Sequence, residues 1–102
     1  MARVDAAPVC VITLTYVEPL AAVDAQMKAH VAWLERGIEE GVLLLAGRQV
    51  PRTGGILLCR GRKAEVAAYA ASDPFVTSGV ATSEVVEMAA SFAIGALADQ
   101  LA

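Results

Sequence analysis

What most restricts the fold of this chain is the way its apolar period changes from one segment to the next. From Val9 to Tyr16, β-branched, apolar and Thr residues alternate with the period of two that a strand requires. Cys10, Ile12, Leu14 and Tyr16 share one face; Val9, Val11, Thr13 and Thr15 share the other. Glu18-Pro19 ends that run, since the residue before a proline is pushed out of the helical region. From Leu20 to Glu40 the period becomes helical, with Leu20, Val23, Met27, Val31, Leu34 and Ile38 as the expected buried stripe. Gly41 is a suitable stop, because glycine tolerates the left-handed conformation, while Gly37 weakens the last turn.

Four further segments follow. Val42 to Ala46 and Thr53 to Arg60 read as strands, separated by a loop that carries Arg48, Pro51 and Arg52. The Gly54-Gly55 pair allows a bulge or the close approach of another backbone. Lys63 to Ala71 reads as an Ala-rich helix broken by Ser72-Asp73-Pro74-Phe75, Glu84 to Phe92 as a fourth strand, and Ile94 to Ala102 as a short terminal helix. The order β-α-β-β-α-β is the split βαβ, ferredoxin-like α+β arrangement. It predicts one domain over 1–102, with its core at about 9–92 and a tail at 93–102. It also predicts that Cys10 and Cys59 are neighbours on antiparallel central strands and remain free thiols.

Composition enters at the faces of that sheet. Helices cover one face, and the other should be polar in a monomer. Here the first strand and Ile56-Leu57-Leu58-Cys59 are apolar on both faces, and 57% of the 102 residues are hydrophobic. A membrane span needs about 20 consecutive apolar residues, and the apolar runs here are shorter and interrupted by charges or glycine. Met1 to Pro8 lacks a signal-peptide core. The expectation is a soluble, cytoplasmic protein that hides its surplus apolar surface in a homodimer, with no membrane partner. A net charge of −3 and a pI near 5.0 argue against nucleic acid as a partner. The basic residues between Arg48 and Lys63 read as a solvated loop, with attraction of a small anion as the alternative.

Few residues carry chemistry. His30, the only histidine, borders the sheet-facing side of its helix: a position for proton transfer, or for a core imidazole satisfied by one hydrogen bond. Asp73 before Pro74 has the form of an N-cap. Its carboxylate could also orient His30, and its two oxygens permit both roles. Tyr16, Arg48 and Arg52 are weaker candidates for substrate binding, Tyr16 as a hydrogen-bond donor and the arginines as a carboxylate clamp. Trp33 and Phe75 are expected to pack rather than stack on a ligand. The sequence carries no zinc spacing, phosphate loop, nucleophile elbow or dinucleotide fingerprint, so no cofactor or metal is expected.

Taken in order, Leu14-Thr15-Tyr16, His30 with Trp33-Leu34, Gly41 followed by Leu44-Leu45-Ala46-Gly47, Thr53-Gly54-Gly55, Asp73-Pro74-Phe75 and Gly79-Val80 resemble the YCII-related proteins over about Val9 to Phe92. The resemblance implies a dimeric α+β barrel of ferredoxin-like subunits. It also implies an active site around a histidine and an aspartate, matching His30 and Asp73, with the histidine a candidate for phosphorylation. One branch of the family implies a lyase that removes chloride from a chlorinated hydroxyquinol. Arg48 directly after Gly47 departs from the family pattern, where proline is frequent. The expected function is a small cofactor-independent enzyme of lyase or isomerase type, with His30 as general acid or base and Asp73 holding its tautomer. The alternatives are a non-catalytic ligand-binding or regulatory dimer, and an accessory subunit whose pocket is filled by side chains.

Overall fold

The computed structural model describes residues 2–102. Four antiparallel strands form one sheet: β1 (Ala2–Tyr16), β2 (Leu43–Arg48), β3 (Gly54–Arg60) and β4 (Ala81–Ala93), in the order β2-β3-β1-β4. This is the α+β arrangement that the sequence pattern predicts. Cys10 stands opposite Cys59 in the ladder between β1 and β3, and both are free thiols. Among the described residues no helix is long and apolar enough to cross a membrane.

The alternation of β1 places Cys10, Ile12 and Leu14 under the helices, each at most 1% exposed. They meet Leu57 and Cys59 from β3, Val23 and Trp33 from the first helical region, Val66 and Ala70 from the second, and Phe75. Full burial of one such Leu, Ile or Phe is worth about 1.5–3 kcal/mol. Packing on this face therefore fixes the register, because a slip by one residue would turn every inward side chain out.

The first helical region differs from the expected single helix. It consists of α1 (Leu20–Ala25) and α2 (Met27–Glu39), joined at Gln26, whose φ of −101° and ψ of 0° lie outside helical values. Val23, His30 and Gly37, spaced by seven, share one buried face across that break. His30, Trp33 and Gly37 are buried, whereas Leu20, Val31 and Ile38 are 44%, 40% and 54% exposed. Gly37 has a packing reason: a Cβ there would lie 2.0 Å from the Tyr69 hydroxyl. Gly41, at φ 81°, terminates the helix as expected.

The ends of the strands also differ. β1 begins at Ala2 rather than Val9, since Ala2 and Arg3 pair with Ala93 and Phe92 beyond a bulge between Arg3 and Ala7. β4 correspondingly spans Ala81–Ala93, longer at both ends than its own pattern indicates. In β2 the register shifts between Leu43 and Leu45, so that Leu43 opposes Cys59 while Leu45 opposes Leu58. Beyond that bulge Ala46 and Arg48 pair with Leu57 and Gly55 on the helix side of the sheet. The helix α3 (Lys63–Ala71) matches its predicted bounds, and α5 (Gly95–Leu101) closes the chain. Between α3 and β4 lies the single turn α4 (Pro74–Thr77).

The opposite face of the sheet is covered at one end only, where α5 lies against β1 and β4, Arg60 donates to Gln100 and Val9 is 4% exposed; the rest of it carries no helix. Val11 pairs with Leu58 on one side and Val86 on the other, Val9 with Met88, and Leu58 with Leu45. Leu45, Val86, Met88 and Ile56 are 66%, 65%, 47% and 46% exposed. This is a contiguous apolar patch, larger than scattered surface hydrophobes would make.

Candidate functional site

Asp73 starts α4. Its Oδ1 accepts a hydrogen bond from the Phe75 amide at 3.0 Å, and Pro74 occupies the first helical position, where a missing N–H does no harm. The same Oδ1 lies 2.7 Å from His30 Nδ1, across 43 residues of sequence. Asp73 thus caps a helical turn and contacts the histidine through one and the same oxygen, rather than through one oxygen for each. Its residue is fully buried, and Oδ2 has no hydrogen-bond partner among the described residues.

The His30 ring is held on three sides. Phe75 stacks on it with centroids 3.8 Å apart and planes 5° from parallel. Trp33, one turn along α2, approaches to 5.7 Å. Trp33 is itself pinned: its Nε1 donates to Ser72 Oγ at 2.9 Å, that hydroxyl donates to the Tyr69 carbonyl at 2.6 Å, and the Tyr69 ring stacks on the indole at 4.1 Å. Burial pushes the Tyr69 hydroxyl above its ordinary range. That hydroxyl accordingly acts here as a neutral packing group, near the Trp33 carbonyl at 3.5 Å.

With Nδ1 directed at the carboxylate, Nε2 is the ring nitrogen left for the adjoining cavity. The bond to Asp73 favours the tautomer with hydrogen on Nδ1 and a lone pair on Nε2. The cavity, of about 210 Å³, lies between α2 and the β1-β3-β2 side of the sheet. His30, Phe75, Met27, Val31 and Leu34 form one side, and Leu14, Tyr16 and Leu57 lie on the sheet side. Gly47, Gly54 and Gly55 also line it. Of the three, Gly55 faces the helix side of the sheet, opposite Leu14 and Arg48, so its missing side chain is part of what makes the space. A Cβ on Gly55 would already stand 3.3 Å from the Gly47 carbonyl.

Of the expected substrate-binding residues, Tyr16 and Arg48 line this cavity with His30. The edge of the Tyr16 ring meets Phe75 at 5.8 Å and 88°. Arg52 lies outside the lining: its guanidinium pairs with Asp24 on α1 and stands 5.9 Å from the Tyr16 ring centre. That pairing raises the Arg52 pKa and fixes the β2–β3 loop to the helix layer. The residue that sequence reasoning undervalued is Phe75. It packs, as expected, yet what it packs on is the imidazole, and it forms a cavity wall. The signal was its place two residues after a capping aspartate. Among the described residues no three His, Cys, Asp or Glu side chains converge as a metal site.

Comparisons with known proteins agree with this fold. No curated protein matches the chain. A solved structure of 5-chloro-2-hydroxyhydroquinone dehydrochlorinase from Burkholderia phenoliruptrix AC1100, in complex with 2,5-dihydroxybenzoquinone, is similar with a TM-score of 0.65 and 20% identity. The match covers 76% of this chain and 90% of that one, and at that identity it speaks for the fold alone. The YCII-related domain model matches residues 9–89, from the middle of β1 nearly to the end of β4, and takes in both His30 and Asp73. The chain belongs to the YCII-related family.

Proposed function

We propose that this protein is a small-molecule enzyme of lyase or isomerase type, in which His30 Nε2 is the general base and then the general acid. The observation that carries the reading is the 2.7 Å contact between His30 Nδ1 and the buried Asp73 carboxylate, beside a mostly apolar cavity. In the reaction, Nε2 takes a proton from carbon next to a carbonyl or its equivalent. The released electron pair either expels a leaving group from the adjacent carbon, or takes the proton back at a different carbon. Asp73 holds the ring in one tautomer and stands beside the positive charge that forms on it. Tyr16, which lines the cavity, donates a hydrogen bond to the substrate oxygen on which negative charge builds. The dehydrochlorinase with a similar fold binds a small, planar, oxygenated ring, a shape that suits a cavity of this size. The uncovered apolar sheet face supports a homodimer as the working form.

The test is a thermal-shift screen of small enolisable and hydroxylated aromatic compounds. Hits are then incubated with the protein in deuterated water and followed by NMR. The reading expects exchange of a carbon-bound hydrogen, or turnover, that His30→Gln removes. Saturable binding with neither exchange nor turnover for every hit would instead make this a non-catalytic, ligand-binding dimer.

A further inference from the structure

The cavity beside His30 has a charge imbalance that the acid–base reading does not use. Three of the side chains that line it are polar, Tyr16, His30 and Arg48, and none is Asp or Glu. Arg48 is the only permanently charged group among them. Its register places it opposite Gly55, on the helix side of the sheet, over a position with no side chain. The two nearby arginines differ in their partners. Arg52 is neutralised by Asp24, whereas among the described residues no carboxylate pairs with Arg48. Arg48 is also solvent-exposed, so a charged group that lines the cavity remains open to an incoming ligand.

We infer that the cavity selects a small organic acid, a planar monocarboxylate whose carboxylate docks on Arg48 while its ring or carbon skeleton reaches the His30 imidazole. One permanent cation and one hydroxyl donor match a single negative charge. A phosphate dianion would call for more donors than the lining holds. Leu14, Met27, Leu34 and Phe75 provide the apolar surface for the remainder of such a ligand. The fork of the guanidinium fits a carboxylate through two parallel N–H donors, which fixes the ligand's orientation as well as its charge. Arg48 is thereby a specificity-determining residue. The inference rests on the site assigned above but names what that site binds, independently of whether it turns the ligand over.

The experiment compares benzoate with benzamide, which has nearly the same shape and no charge. His30 is the sole histidine, so its imidazole ¹⁵N signals report binding at one position without ambiguity. In the wild-type protein benzoate should shift those signals saturably and bind at least about tenfold more tightly than benzamide, a difference of about 1.4 kcal/mol. Its affinity should fall as ionic strength rises. Arg48→Gln should erase the preference by weakening benzoate at least about tenfold more than benzamide; Arg36→Gln, which removes an exposed charge on α2, should preserve it. Equal affinities, a preference that survives Arg48→Gln, or no saturable benzoate effect at concentrations on the order of 10 mM would each overturn the assignment. An Arg48-dependent preference without any deuterium exchange would sink the catalytic reading and leave this one standing. Exchange on neutral compounds with no carboxylate preference would do the reverse.

Discussion

The Phe75 ring lies 5° from parallel to the His30 imidazole, with 3.8 Å between centroids. The stack fixes ring rotation, while the Asp73 bond fixes which edge faces the carboxylate. Phe75→Leu keeps most of the buried volume and removes the flat face. It should leave the protein folded, at a cost of about 1–1.5 kcal/mol, and lower turnover by about tenfold or more through loss of alignment. Phe75→Ala would confuse the two effects, because the cavity it leaves costs about 3–5 kcal/mol by itself. Denaturant midpoints measured beside kcat separate them; an unchanged kcat in Phe75→Leu would show that the stack only packs.

Asp73 offers a way to separate charge from geometry. Asparagine is as good an N-cap as aspartate, and its amide oxygen can accept from both the Phe75 amide and His30 Nδ1. Asp73→Asn should therefore stay folded and yet lose about 10²-fold in turnover, because the negative charge beside the imidazole is gone. Asp73→Ala should in addition lose about 1–3 kcal/mol of stability, with two buried donors left unmade. Turnover per folded molecule, obtained from active protein counted by native mass and circular dichroism, checks the pair. Equal activity of wild type and Asp73→Asn would remove the carboxylate from the mechanism.

The uncovered sheet face predicts the oligomeric state. Light scattering should give twice the 10.6 kDa chain mass at micromolar concentration. Val86 is 65% exposed in the single chain and pairs with Val11 at the centre of the patch. Val86→Glu should therefore spare the fold of the subunit and yield a soluble monomer, as a lone buried carboxylate is not tolerated in an apolar interface. A wild-type monomer would contradict the dimer directly.

Burial raises the Cys59 thiol from 9.0 to about 12, with the neighbouring Cys10 adding to the effect. Cys10 and Tyr69 move in the same direction, each first of all through burial. An unfolded chain gives up these protons at lower pH than the folded one, so above about pH 9 the folded state holds more protons than the unfolded. Stability should be intact below pH 9 and decline as pH rises toward 12. Urea midpoints at about pH 8 and about pH 10.5 should show the decline, and Cys59→Ala should flatten it. Both thiols should also resist alkylation at neutral pH until the chain is unfolded. Rapid labelling of native Cys59 would contradict its burial.

How much of this was visible in the sequence depended on whether a residue's role is local. The alternation through Cys10, Ile12 and Leu14 gave the inward face of β1 and, with the strand order, the pairing of Cys10 with Cys59. The Asp-Pro pair at 73–74 announced a helix start from its own chemistry. The break at Gln26 left no local mark, since glutamine is a good helix former. Val31 and Ile38 stand one position from His30 and Gly37, and apolar spacing favoured them over the histidine and the glycine that the fold buries. The start of β1 at Ala2 comes from partners 90 residues away in β4, not from its own pattern. At the site, helical spacing brought His30 to the sheet side. Its stacking on Phe75 is a tertiary contact across 45 positions that no periodicity encodes.

Strands carry a two-position frame, and the bulge in β2 shifts that frame once. Leu43 and Arg48 are five positions apart, an odd interval, so an unbroken strand would point them to opposite sides. Leu43 is a core residue, 3% exposed, and its anchoring would then send Arg48 to the outer face and bring Gly47 opposite Gly55. The additional residue between Leu43 and Leu45 restores agreement, so one strand both seals the core at its start and delivers a cation to the cavity at its end. The chemistry of that cavity thus depends on parity: inserting a single residue between Leu45 and Arg48 would exchange an arginine for a glycine in the wall without altering any side chain in the sequence.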